Sequence, residues 1–133
     1  MSTPPPGAAV ELFVYGTLLR GERNHGYLEG CAFLRETATQ PGFRLVDLGG
    51  YPGMVKAAGG CVAGELYRVS APALAAIDEL EQHPVVYWRT EVRLVDRRTV
   101  QTYLLHPERA RGRPPVPEGD WRSYRLATEA EAR

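Results

Sequence analysis

Hydrophobic and polar positions alternate along most of the chain, a period that predicts short strands rather than helices. Glu11-Leu12-Phe13-Val14-Tyr15 is a run of β-formers ended by Gly16, and Val62 to Val69 alternates in the same way. Residues 31–39 and 43–48 read as strands separated by Gln40-Pro41-Gly42. Tyr87 to Asp96 and Thr99 to Leu105 read as a hairpin turning at Arg97-Arg98. One segment, Ser70 to Gln82, changes to a helical period, with Ser70 placed to cap it and Pro72 tolerated in its first turn. At 100° per residue from Leu74, Ile77 falls near 300°, Leu80 near 240° and Ala73 near 260°. Asp78, Gln82 and Glu79 fall on the opposite side, but Glu81 falls at about 340°, inside the apolar arc.

The intervening segments punctuate this pattern. Arg20 to His25 is a loop with at most a turn of helix near Tyr27 and Leu28. Gly49-Gly50-Tyr51-Pro52-Gly53 is too rich in glycine and proline for regular structure, and Glu108 to Gly119 reads as a Pro/Arg/Gly-rich loop. Trp121 and Tyr124 are expected to dock the C-terminal segment, with Ala127 to Arg133 fraying beyond it. Met1 to Ala9 is expected to be a flexible leader, with neither a basic start nor an apolar run. One domain over residues 10–126 remains, without internal repeats. Strands joined by short loops imply an α+β fold: a small, strongly curved, mostly antiparallel mixed sheet or barrel with few helices.

Composition narrows the classes. The 133 residues carry 16 basic and 16 acidic side chains, so no charge excess marks a nucleic-acid or membrane surface. Cys31 and Cys61 are expected to stay free and buried in a reducing cytoplasm. The cysteines with His25, His83 and His106 lack metal-ligand spacing, and no metal is expected.

The candidate chemistry starts at Glu81. A carboxylate on an apolar helix face is costly to ionise, and burial raises its pKa toward the range a general acid/base needs. A rim glutamate reaching solvent or an arginine would show the same wheel. Gly16-Thr17-Leu18-Leu19-Arg20-Gly21 has the glycine spacing of a phosphate loop, but Glu22 and Arg23 stand where lysine and a hydroxyl residue belong, which removes that mechanism. What remains is Tyr15-Gly16-Thr17-Leu18 at the end of a strand, either a plain turn or a place where backbone N–H groups cradle a ligand. Tyr51 and Pro52 are wall candidates in the second glycine loop, under the same two readings.

Phe13-Val14-Tyr15-Gly16-Thr17-Leu18, Arg20-Gly21 and Asn24-His25 resemble the opening of the gamma-glutamylcyclotransferase-like family. Gly64-Glu65-Leu66-Tyr67, Asp78 to Glu81 and Tyr87-Trp88-Arg89-Thr90 follow in that family's order. The Tyr-Gly-Thr-Leu loop is most similar to the gamma-glutamylamine cyclotransferase branch. The resemblance implies that Glu81 is the catalytic acid/base and that Tyr15 to Leu18 bind a glutamyl group through backbone. It implies a small γ-glutamyl substrate cyclised to 5-oxoproline with release of an amine, in the manner of a transferase or lyase, without a cofactor. Tyr51, Tyr87 and Tyr103 are candidates to line the pocket, against simple core packing. Two rival classes stay open at this point: a binding module that keeps the pocket without turnover, and an interaction domain working through its Arg-rich loop.

Overall fold

The computed structural model describes residues 9–131, so the leader expected over residues 1–9 lies, Ala9 apart, outside them. The first half runs β1 (Val10–Val14), β2 (Ala32–Ala38), β3 (Phe43–Asp47), β4 (Pro52–Lys56) and β5 (Ala63–Val69). Helix α1 (Ala71–Leu80) leads to β6 (Tyr87–Arg93), β7 (Thr99–Leu105), the short β8 (Pro115–Val116) and helix α2 (Trp121–Glu131).

The main sheet has the order β2-β5-β1-β7-β6. Pairing is antiparallel except between β1 and β7, where Leu12 lies opposite Gln101 in parallel register. The two edges meet at one end: Thr39 bridges Leu94, Gln40 N–H donates to Arg93 O at 3.0 Å, and Val95 N–H donates to Ala38 O at 3.0 Å. The sheet therefore curls into a barrel, which removes exposed edges there. A second sheet, β4-β3-β8, lies beside it, and β4 packs against β7.

Central strand β1 shows why the pattern works. Leu12 and Val14 join one apolar cluster with Leu74 and Ile77 of α1, while Phe13 and Tyr15 join another with Leu66, Leu104 and Trp121. Alternation sends successive side chains to opposite faces, and both faces are covered. The mixed sheet with two helices is the α+β arrangement expected from the alternation.

Four local expectations are corrected. Pro52 and Gly53 open β4 rather than closing a loop; proline is accommodated as a strand's first residue, where one missing ladder donor is tolerated. The segment from Glu108 to Gly119 holds two short 3-10 turns and β8, which pairs with β3, and Ala110, Val116 and Gly119 are buried. Residues from Ala127 continue α2 to Glu131 instead of fraying, because long-range ion pairs hold the helix: both Arg125 Nε and Nη2 donate to Glu22 at 2.7 Å. The cysteines are free but not buried; Cys31 is half-buried behind a glycine turn and Cys61 is exposed.

One buried acid ties three elements together. Glu65 on β5 is 2% exposed and accepts from Arg20 N–H (3.0 Å), Arg20 Nε (3.1 Å), Arg122 Nη2 (3.1 Å) and the Tyr67 hydroxyl (3.0 Å). Burial alone would raise its pKa, but these donors outweigh it and hold the carboxyl below the usual range. Arg20 belongs to the loop after β1 and Arg122 to α2, so both are fastened to the barrel through Glu65. Replacing Glu65 by alanine removes a buried acceptor from Arg122, Tyr67 and Arg20, which keeps only its exposed partner Glu36 at 3.0 Å, and the expected loss is about 1–3 kcal/mol in urea unfolding. Because the folded pKa is depressed, this stabilisation is present above the unfolded carboxyl pKa and is lost as pH falls through the folded one. The gap between native chain and Glu65→Ala should therefore narrow in acid. An unchanged urea midpoint at neutral pH would show that the loop and α2 are held by other contacts.

Candidate active site

Helix α1 forms where the sequence indicates. The Ser70 hydroxyl accepts from Ala73 N–H at 3.3 Å, Pro72 sits in the first turn, and Leu74 and Ile77 bury the apolar face. The helix ends at Leu80, one residue before Glu81, which is its C-cap. Glu81 keeps near-helical angles (φ −81°, ψ −1°), and its N–H still donates to Ile77 O at 2.9 Å. Its side chain thus leaves from the direction the wheel indicates, and Gln82, at φ 52°, turns the chain away. Glu81 is half-buried, and burial pushes its carboxyl up to about 7. Its place at the negative end of the helix dipole acts in the same direction.

Glu81 lines a cavity of about 210 Å³. Tyr15, Gly16, Thr17 and Leu18 reach it from the loop after β1, Tyr51 and Pro52 from the start of β4, Tyr87 from β6 and Tyr103 from β7. Every residue singled out from the sequence lies on this one surface. The parallel β1–β7 contact places the end of β1 beside β7, which is how Tyr15 and Tyr103 come together.

The tyrosines serve as walls. Tyr15 donates its hydroxyl to Tyr103 O at 2.8 Å and accepts from Met54 N–H at 3.3 Å. Tyr87 donates to Pro52 O at 2.7 Å, and Tyr103 donates to Asp78 Oδ1 at 2.5 Å. Burial raises all three phenol pKa values, so these groups stay neutral, with rings facing the cavity and hydroxyls held by the protein. Tyr51 differs: it is 40% exposed and forms the lip.

The glycine loop is shaped from outside. A Cβ on Gly16 would lie 2.6 Å from Pro52 Cγ and 2.9 Å from Pro52 Cδ, so glycine is what lets the loop lie against that ring. Asn24 Nδ2 donates to Thr17 Oγ1 at 3.0 Å and Asn24 N–H donates to Thr17 O at 2.9 Å, while His25 Nδ1 lies 2.9 Å from Leu18 O. These contacts account for the Asn24-His25 pair physically: it fixes the loop's carbonyls. Among the described residues, the Thr17 and Leu18 N–H groups have no protein acceptor.

Phe13, Val14, Leu80, Gln82, Val86, Asn24 and Arg23 also line the cavity and were not singled out from the sequence. Asn24 carried a signal in its motif. The apolar members read as ordinary core, and Arg23 reads as one more charge in a polar loop.

Comparison with known proteins agrees with this architecture. The family model described as gamma-glutamyl cyclotransferase, AIG2-like, matches residues 12–123. A Vibrio cholerae protein named as a candidate gamma-glutamylcyclotransferase is 40% identical over 110 residues, covering 83% of this chain and 93% of its own. The gamma-glutamylaminecyclotransferase of Rattus norvegicus is 37% identical over 96 residues, covering 62% of each chain. A solved structure of a uropathogenic E. coli-specific protein superposes with a TM-score of 0.79 at 27% identity, covering 89% of this chain and 96% of the other. The chain belongs to the gamma-glutamyl cyclotransferase, AIG2-like family.

Proposed function

We propose that this chain converts a γ-glutamyl amine or amide to 5-oxoproline and the free amine, with Glu81 as the single acid/base. The observation that carries the reading is a carboxyl of pKa about 7 lining the same cavity as two unpartnered backbone N–H groups. The substrate's α-amino group is largely protonated near neutrality, so attack needs a base close to that pKa. The α-ammonium gives one proton to solvent, the amine nitrogen attacks the γ-carbonyl carbon to close a five-membered lactam, and Glu81 takes the second proton that this nitrogen must shed. The C–N bond to the leaving amine then breaks as Glu81 returns the proton to that nitrogen. Negative charge on the carbonyl oxygen in between is met by the Thr17 and Leu18 N–H groups. The walls from Tyr15, Tyr87 and Tyr103 fold the glutamyl chain toward near-attack geometry and keep water from Glu81.

Glu81→Gln keeps the shape and removes the proton chemistry. Release of 5-oxoproline from γ-glutamyl-ε-lysine, γ-glutamyl dipeptides, γ-glutamyl alkylamines and glutathione should show at least one turnover by the native chain and none by the variant. Full activity in the variant would end this mechanism. For the native chain, kcat/KM should rise with pH through about 7, where Glu81 ionises. A flat profile between pH 5 and 9 would remove Glu81 as the base.

The same residue should cost stability. Its folded pKa lies above the ordinary glutamate value of 4.5, so the native state holds the extra proton and stability falls as pH rises from there through about 7. The span corresponds to about 3 kcal/mol at most. Glu81→Gln should therefore melt higher than the native chain at pH 8 and show little difference at pH 5. Equal melting temperatures at pH 8 would mean that the carboxylate is not strained by burial.

Gly16→Ala forces a Cβ into the Pro52 ring. The loop has to shift, at about 1–3 kcal/mol, and KM should rise for every substrate. Unchanged KM and melting temperature would show that the loop position is not set by this contact.

A further inference from the structure

Resting on the reading above, we propose that the leaving group runs past Arg23 into a second cavity, and that Arg23 selects leaving amines that carry a carboxylate.

The second cavity, of about 580 Å³, adjoins the first: Thr17 and Arg23 line both. Its far walls come from Asp47, Trp121, Tyr124 and Thr128. The charges around it are already matched. Arg125 holds Glu22 at 2.7 Å and Glu129 at 2.9 Å, and Asp47 accepts from the Tyr124 hydroxyl and the Gly49 N–H, each at 2.8 Å. Among the described residues, two charged side chains on the walls of the two cavities have no protein partner, Glu81 and Arg23. Other arginines near the site, Arg20, Arg89 and Arg122, are each committed to an acid. An unpaired guanidinium between two connected cavities is suited to an anionic group on the ligand, and its fork matches a carboxylate.

A γ-glutamyl compound has a carboxylate of its own, so the end of the substrate must be assigned. The glutamyl α-carboxylate is fixed to the carbon that bears the amino group, and that amino group must reach Glu81. A cation holding the α-carboxylate would therefore lie near Glu81 and draw its pKa down. Burial raises Glu81, and no arginine draws it down. Arg23 has a guanidinium nitrogen 3.8 Å from where a Cβ on Gly50 would be, and it lines both cavities. A leaving chain has free torsions and can carry a carboxylate to Arg23. Thr17 lines both cavities as well, so its N–H would face the scissile carbonyl while the departing part continues past it.

The test uses matched probes: γ-glutamyl-glycylglycine, its C-terminal amide, and γ-glutamyl-methylamide as a short reference. The native chain should favour the acid over the amide in kcat/KM by about two- to fivefold, the worth of a solvent-facing ion pair. Arg23→Ala should bring that ratio near one, chiefly through KM, and Arg23→Glu should invert it. Arg23 is exposed, so both variants should fold, with circular dichroism as the check. A native ratio near one overturns the proposal. So does an Arg23→Ala ratio equal to the native one, or an equal KM rise on all three probes, which would place Arg23 on the glutamyl carboxylate. Release from no probe, the methylamide included, would overturn the reaction itself, whereas release without discrimination overturns the selecting role alone.

Discussion

A buried carboxylate must be matched by donors or pushed toward neutrality, and the fold depends on how Glu65 is matched. Its two oxygens accept from the backbone and side chain of Arg20, from Arg122 and from Tyr67. Those donors belong to the loop after β1, to α2 and to β5 itself. The loop that ends in Arg20 begins at Gly16, so the anchor that holds one end of it sets where its N–H groups lie relative to Glu81. Glu22 with Arg125 adds a second tie between the same loop and α2. The C-terminal helix is thus a brace for the glycine loop and, through Trp121, part of the core.

Glu65 and Glu81 are the same residue type in opposite circumstances. Glu65 is saturated with donors and held ionised; Glu81 has burial without donors and is poised near neutrality. Environments that push the pKa values of like groups apart assign their roles: the matched acid supports structure and the unmatched one is available for proton exchange. The fold achieves this by placing one on a strand beneath two arginines and the other at a helix end among aromatic rings.

What the sequence made legible follows from locality. The α1 helix, the offset of Glu81, the β6–β7 hairpin and the strand ending at Gly16 are set by side chains within a few positions of one another, and periodicity reads them. Helix α2 was not legible: the sequence showed only a docked Trp121 and Tyr124, because Ala127 to Glu131 has no apolar stripe and the helix is held by Glu22 and Glu65, far away in the chain. Strand β4 hides behind Pro52 and Gly53, which look like loop until β3 supplies the register. The parallel β1–β7 contact leaves no local mark either, and it is what brings Tyr103 to Tyr15. Glu65 was visible only as a motif letter, since a glutamate in an alternating strand does not announce its donors. The helix wheel placed Glu81, but its rise in pKa comes from residues on four other segments.

Those segments also explain why Glu81 stands without donors while its neighbours do not. Tyr15 and Tyr87 use their hydroxyls on backbone carbonyls, and Tyr103 uses its own on Asp78, so their rings remove water from Glu81 without offering it a donor. Asp78, three residues before Glu81, feels burial too, but Arg89 and Tyr103 outweigh it and hold its carboxyl below the usual range. If Asp78 were free, a second carboxyl on the same helix would share the proton and blur the titration. The Arg89–Asp78 pair therefore isolates Glu81 electrically as well as fixing α1 to β6. In the proposed reaction a single carboxyl takes and returns the transferred proton, and the structure leaves Glu81 unmatched by hydrogen-bonding the Tyr15, Tyr87 and Tyr103 hydroxyls and the Asp78 carboxyl elsewhere.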